Sequence, residues 1–286
     1  MAGRALTVKS AVWSKAGNGP SVGRLDTVAV DGLQIGFERR GSGPAVVLLH
    51  GYVGDGPATW RPQLDSLADE FTVVAWDAPG AGASSDPSES LGMSGYADCL
   101  DHFIDALALD HPHVVGLSFG GALALALSDR HPDTPRSLVV VSGYAGWRGS
   151  LPADEAEHRL AQALELSELT GSEFVDALLP TMFALTPPSE LVDAFSASMH
   201  AFHPAGFRAM ARAAAEDLRD ALPGLDVPTL LVCGDCDVRA PRAIAEHLCG
   251  AIAGASLVVL GGVGHVCNLE APDRFDNTVR AWLAEH

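Results

Sequence analysis

The sequence predicts an α/β protein: a mostly parallel, eight-stranded sheet with helices on both faces, interrupted once by a block of helices. Three observations point there. Short apolar runs bounded by glycine, proline or aspartate alternate with amphipathic helical patterns along most of the chain. Several of these runs are apolar at every position, as strands buried on both faces of a parallel sheet are. The alternation then lapses between about residues 144 and 223, where only helical patterns occur.

Taken in order, residues 1–23 contain the breaker cluster Gly17-Asn18-Gly19-Pro20 and read as a flexible tail. Strands are expected at Thr27–Val30 and Leu33–Arg39, joined by Asp31-Gly32, a dipeptide that favours a tight hairpin. Further strands are expected at Ala45–Leu49, Phe71–Trp76, the run ending Val114-Val115-Gly116, Ser137–Ser142, Pro228–Cys233 and Ser256–Leu260. Trp60, Leu64 and Leu67 recur at helical spacing, predicting a helix from Ala58 to Asp69. Tyr96, Leu100, Phe103, Ile104 and Leu107 predict another from Ser94, and Pro241–Ala253 and Pro272–Ala284 read as the last two. Where the strands lapse, helices are expected at Ala153–Leu169, Ser172–Phe183, Pro188–His200 and Ala205–Leu222. The predicted organisation is a core of 24–143 and 224–286 with an inserted helical cap, 144–223.

Composition bounds the function. A chain of 286 residues, 48% hydrophobic and 19% charged, is globular and long enough to bury about three quarters of its unfolded surface. A formal net charge of −18 argues against nucleic acid, and disfavours strongly anionic substrates unless a local basic pocket exists. No apolar run approaches the length of a membrane span, and residues 1–23 lack the apolar centre of a secretory signal, so a cytoplasmic protein without a membrane partner is expected. Five cysteines without an export signal read as reduced thiols. Cys233-Gly234-Asp235-Cys236 has redox spacing but follows an apolar strand with no thioredoxin-like context, and no paired ligand spacing points to zinc. No metal or other cofactor is expected. The expected partner is a small-molecule substrate, with a homodimer left open.

The chemistry centres on Val114-Val115-Gly116-Leu117-Ser118-Phe119-Gly120-Gly121, a strand that turns sharply through a serine into a helix. The turn projects the Ser118 hydroxyl beyond the sheet edge, and glycines two residues either side avoid collision. A serine hydroxyl needs a base, and the base needs an acceptor to fix its tautomer. Of eleven histidines, His265 stands out, in the glycine-rich loop Gly261-Gly262-Val263-Gly264-His265 just after the strand Leu257–Leu260; the others mostly fall on helices or helix ends. The strand ending at Cys233 is followed by Asp235 and Asp237, with Asp237 the preferred acid and Asp235 the alternative.

These features, in the order Ser118, Asp237, His265, resemble the alpha/beta-hydrolase superfamily, in its capped, serine-nucleophile branch of esterases and lactonases. Gly116-Leu117-Ser118-Phe119-Gly120 is similar to the nucleophile elbow, and Leu48-Leu49-His50-Gly51-Tyr52 to the segment before the oxyanion loop. Asp77-Ala78-Pro79-Gly80-Ala81-Gly82-Ala83-Ser84, Gly234-x-x-Asp237 and Gly264-His265 with Glu270 match further motifs, over roughly Leu25 to the carboxyl terminus. The resemblance implies backbone N–H donors from Tyr52 (or Val53) and Phe119, a bracing role for His50, and an Asp77 that ties its own loop together. It implies a serine hydrolase acting on an ester or lactone of a small, largely apolar molecule. A carbon–carbon hydrolase of ring-fission products, a cofactor-free haloperoxidase and a non-catalytic ligand receptor are the alternatives. In the cap, Trp147, Met182, Phe183 and Phe207 suit a pocket lining, although apolar cap residues also serve to pack helices together. Arg208 suits either a substrate carboxylate or solvent.

Overall fold

The computed structural model describes residues 25–184 and 187–286, so the segment 1–23 lies outside the described residues. Its strands are β1 (Leu25–Val30), β2 (Leu33–Arg40), β3 (Ala45–Leu49), β4 (Thr72–Trp76), β5 (His113–Leu117), β6 (Ser137–Val141), β7 (Thr229–Gly234) and β8 (Ser256–Leu260). They form one eight-stranded sheet in the order β1-β2-β4-β3-β5-β6-β7-β8. β1 and β2 pair antiparallel, as do β2 and β4; every other pairing is parallel. The first hairpin turns where both Asp31 and Gly32 take positive φ, the conformation a two-residue turn between twisted strands requires.

Helices fill the crossovers. α1 (Gly56–Thr59) and α2 (Arg61–Ser66) lie between β3 and β4, α3 (Gly92–Ala106) between β4 and β5, and α4 (Phe119–Arg130) between β5 and β6. Between β6 and β7 come α5 (Trp147–Ser150), α6 (Ala153–Leu166), α7 (Gly171–Leu178), α8 (Ser189–His200) and α9 (Pro204–Ala214), with no strand among them. α10 (Arg242–Ala251) joins β7 to β8, and α11 (Cys267–Glu270) and α12 (Pro272–Glu285) end the chain. α9 packs on α3 and α4, and α8 on α1, which seats the insertion on the core. No described helix is long and apolar enough to cross a membrane.

Local chemistry explains where the expected boundaries shift. The helix expected over Ala58–Asp69 breaks at Trp60, where ψ is 18°, and restarts with Pro62 in its first turn before closing as a 3-10 turn at Leu67–Asp69. α7 stops at Leu178 because Pro180 has no N–H to extend it. α9 stops at Ala214, and beyond it the Leu218 N–H bonds to Ala145 O at 2.9 Å. Two of the three four-residue helices, α5 and α11, fall where no helix is expected, being too short to leave a period in the sequence.

The register is what positions the site. Leu49 pairs with Gly116, Leu117 with Val141, and Gly234 with Leu260, so the parallel strands end together. The loops after β3, β5, β7 and β8 therefore meet over one sheet edge, where open α/β sheets place their ligands. At the centre of that edge β5 enters α4 through Ser118, whose φ of 55° and ψ of −109° are strained for a residue with a side chain. The strain is held by close passage. A Cβ on Gly116 would overlap the Gly120 carbonyl, and one on Gly120 would overlap the carbonyl oxygens of Leu49 and His50. Gly120→Ala is therefore expected to lower stability by about 1–3 kcal/mol or more, read as a lower urea midpoint at an unchanged slope.

Candidate active site

Ser118 sits at the elbow, nearly buried at 6% exposure, with the α4 amino terminus directly behind it. Its own carbonyl accepts from the N–H groups of Gly121 (3.0 Å) and Ala122 (3.1 Å), which anchors the first turn. Among the described residues no backbone hydrogen bond takes up the N–H of Tyr52, Val53 or Phe119. Phe119 points its ring edge-on at Tyr96, 5.2 Å between centroids. Its side chain is thus core, while its N–H stays beside the serine.

The loop after β8 carries His265 and the loop after β7 carries Asp237. His265 Nδ1 donates to Asp237 Oδ2 at 2.8 Å, with the two side chains 4% and 0% exposed. Asp237 Oδ1 accepts from the N–H groups of Arg239 (2.8 Å) and Ala240 (2.9 Å). Burial works against the charge on Asp237, but the facing His265 and these donors outweigh it and hold the carboxyl below its ordinary range. A carboxylate can only accept, so Nδ1 carries the imidazole proton and Nε2 keeps its lone pair in the neutral ring. Of the two acids weighed from the sequence, Asp237 meets His265. Asp235 instead accepts from the Gly262 N–H at 2.6 Å, tying the two loops together at the surface.

The histidine loop is held from below by Glu270. Its Oε1 accepts from the Gly264 N–H at 2.7 Å, and its Oε2 from the Ala184 N–H at 3.0 Å. The Val266 N–H donates to Met182 O at 3.1 Å. The same loop that carries the imidazole is thereby fastened to the helical insertion.

His50 and Asp77 are structural. The Ala78 N–H donates to His50 Nε2 at 3.0 Å, so the ring proton sits on Nδ1, which donates to Gly51 O. Burial drives its pKa down to about 4, against the opposing pull of Asp55 and the Gly51 carbonyl. Both nitrogens are committed and no lone pair remains for a base. Asp77 accepts from the N–H groups of Gly56 and Ala83, both at 2.9 Å, closing its own loop onto α1.

Ser118 and His265 line one chamber with Tyr52, Met182, Phe195 and Arg239. It encloses about 10 Å³, roughly one water-sized sphere, so an acyl group enters only when roof side chains shift. Met182 is therefore at the chamber, as the sequence suggested, and Phe183 packs beside it on Phe195, 5.9 Å between centroids. Phe207 and Trp147 are one layer further out, against the two sides of Tyr52's ring system: Phe207 stacks at 5.1 Å and Trp147 meets it edge-on at 5.7 Å. Arg208 lies outside the chamber, ion-paired to Glu89 at 2.7 Å and to Glu168 at 3.6 Å. The residue that sequence reasoning missed is Arg239; its only signal was its position two residues beyond Asp237 on the same loop.

The sequence profile of the alpha/beta hydrolase family matches residues 46–278, and the chain belongs to that family. It is 29% identical over 286 residues to the 2-hydroxymuconate semialdehyde hydrolase of Pseudomonas sp. (strain CF600), covering 94% of this chain and 96% of that one. A thermophilic esterase from Thermogutta terrifontis, with malate bound, superposes with a TM-score of 0.82 at 26% identity over 92% of this chain and 98% of its own. The enol-lactonase from Burkholderia xenovorans LB400 gives the same TM-score, 0.82, at 26% identity over 91% of this chain and 100% of its own.

The burial of His50 has a measurable sign. Its folded pKa, about 4, lies below the 6.5 of a free imidazole, so the unfolded chain binds more protons between those values. The stability this contributes is complete above pH 6.5 and is lost as pH falls towards 4. His113, also lowered to about 4 by burial, acts in the same window. Urea melts between pH 7 and 4 should show His50→Asn losing about one proton's worth of this slope. Asp237 acts separately, losing its contribution only at more acidic pH, below the ordinary carboxylate value of about 3.9.

Proposed function

We propose that the protein is a serine hydrolase that cleaves an ester or lactone of a small molecule through an acyl-enzyme. The observation that carries this reading is the buried His265–Asp237 hydrogen bond in the chamber that Ser118 also lines. In the proposed cycle, the Nε2 lone pair of His265 takes the Ser118 proton as the oxygen attacks the scissile carbonyl. The N–H groups of Tyr52 and Phe119 receive the oxyanion, which they can do because no backbone acceptor holds them. His265 then protonates the leaving oxygen, and water repeats the sequence to release the acid. Asp237 stays ionised throughout and stabilises the imidazolium, a role that its own hydrogen bonds favour.

The strained elbow supports the same reading, because positive φ at a serine has a cost that a merely structural turn would avoid with glycine. A second reading, cleavage of a carbon–carbon bond in a ring-fission product, takes its support from the semialdehyde hydrolase relative. The two differ in the substrate the chamber accepts and share the serine and histidine.

Ser118→Ala is expected to reduce kcat on a short aryl ester by about 10⁶ and to abolish labelling by a fluorophosphonate probe, with an unchanged circular dichroism spectrum. Activity above a tenth of wild type would refute the assignment. Asp237→Asn is expected to cost about 10⁴ in kcat, since an amide can present the wrong partner to Nδ1. A panel of aryl esters, lactones and a vinylogous 1,5-diketone, assayed side by side, separates the two readings.

A further inference from the structure

Arg239 is the one arginine or lysine among the described residues that line the Ser118 chamber, and no carboxylate lines it. Its guanidinium bonds only neutral oxygens. Nη2 donates to the Tyr52 hydroxyl at 2.6 Å and Nη1 to Thr181 Oγ1 at 2.9 Å. No carboxylate lies within ion-pair distance of it among the described residues, in a chain where acidic residues outnumber basic ones 36 to 18. Of the cap arginines, Arg208, Arg212 and Arg219 pair with acids, at 2.7, 3.6 and 2.5 Å. A half-buried guanidinium bonded only to two hydroxyls still has N–H donors without protein acceptors, in the fork geometry that fits a carboxylate.

Its place in the fold sharpens the point. Arg239 and Tyr52 line both the inner chamber and an outer cleft of about 210 Å³. Arg239 also borders a wider cleft of about 530 Å³, which Glu165 lines too. The Arg239–Tyr52 hydrogen bond therefore lies at the wall that the chamber shares with the 210 Å³ cleft. The arginine backbone is fixed at both ends: its N–H bonds to Asp237 Oδ1, and its carbonyl accepts from the Tyr144 hydroxyl and from Arg159 Nη1 at 3.1 Å. Only the side chain is left to move. Arg159, which lines the 210 Å³ cleft, adds a second cation at the mouth, with Glu155 3.7 Å from its other nitrogen.

We propose that Arg239 determines specificity by receiving a carboxylate on the substrate, so that the chamber takes carboxylate-bearing esters or lactones, apolar between the scissile carbonyl and the charged end. The incoming carboxylate replaces the Tyr52 and Thr181 hydroxyls as acceptor, exchanging two hydrogen bonds to neutral hydroxyls for a bidentate ion pair. The same exchange breaks the Tyr52–Arg239 contact and opens a chamber that otherwise has room for about one water. A neutral ester must break that contact without the compensating pair. The net charge of −18 repels such an anion at long range, so added salt should raise kcat/KM for the anionic ester more than for a neutral one.

The proposal rests on the hydrolase reading for its kinetic arm and is independent of it for its binding arm. In the first, mono-4-nitrophenyl adipate is compared with 4-nitrophenyl hexanoate, which has the same chain and no charge. Arg239→Met is expected to raise KM for the adipate ester about ten- to a hundredfold and to lower KM for the hexanoate ester, which no longer has the Tyr52 contact to break. Arg239→Lys, which keeps the charge and loses the fork, should fall between and serves alone if the methionine variant does not fold. Equal changes on both esters, or a wild type that does not prefer the adipate ester, would overturn the proposal. In the second arm, Ser118→Ala protein is titrated calorimetrically with adipate and with adipamide. Binding of adipate alone, lost on adding Arg239→Met, supports the assignment even if wild type hydrolyses neither ester and resists the fluorophosphonate. Absence of adipate binding at millimolar concentration overturns it while leaving the hydrolase reading to its own test.

Discussion

The close passage of β5 and the start of α4 across the end of β3 is the constraint on which the rest depends. Gly116 and Gly120 lie so near to each other's backbone and to the Leu49 and His50 carbonyls that no side chain fits between them. That contact forces Ser118 into positive φ and turns its hydroxyl out of the sheet. It also sets the Phe119 amide, the first of α4, next to the serine. Ser118 and the amide that follows it are thus placed by one backbone crossing, and neither can be moved without the other.

A second layer of control comes from the helical insertion. Glu270 bonds at once to the histidine loop at Gly264 and to the insertion at Ala184, while Val266 bonds to Met182. Movement of the roof is therefore mechanically linked to the loop that carries His265. The roof also seals: Tyr52 stacked on Phe207 and bonded to Arg239 narrows the approach to the serine. A hydrolase gains from such a seal, because excluded water strengthens the electrostatic interactions inside the chamber.

Much of this was legible in the sequence, for identifiable reasons. Glycine spacing around Ser118 is legible because only glycine tolerates that approach, and fully apolar runs are legible because a parallel sheet buries both faces. His265 stood out by following a strand in a glycine-rich loop. His50 and Asp77 were read as braces, and their hydrogen bonds are those of braces. The cap was far less legible. Phe207, Trp147 and Met182 are all apolar and all buried, and only packing separates the one at the chamber from the two behind Tyr52. The arginines were misleading in the same way, since Arg208 and Arg239 look alike until their partners are known.

The sequence by itself determined the α/β class, the order of strands and helices, and the residue types at the elbow and loop ends. Those depend on local chemistry: periodicity, turn propensity and the absence of side chains at close approaches. Tertiary structure alone decided that Asp237 rather than Asp235 meets His265, that Arg208 is consumed by Glu89 and Glu168, and that Arg239 faces the serine without an acid. Each of those is a question of which side chains distant in the chain come within hydrogen-bond reach. That is settled by how the parallel strands align and how the helical insertion seats, and no local pattern encodes it.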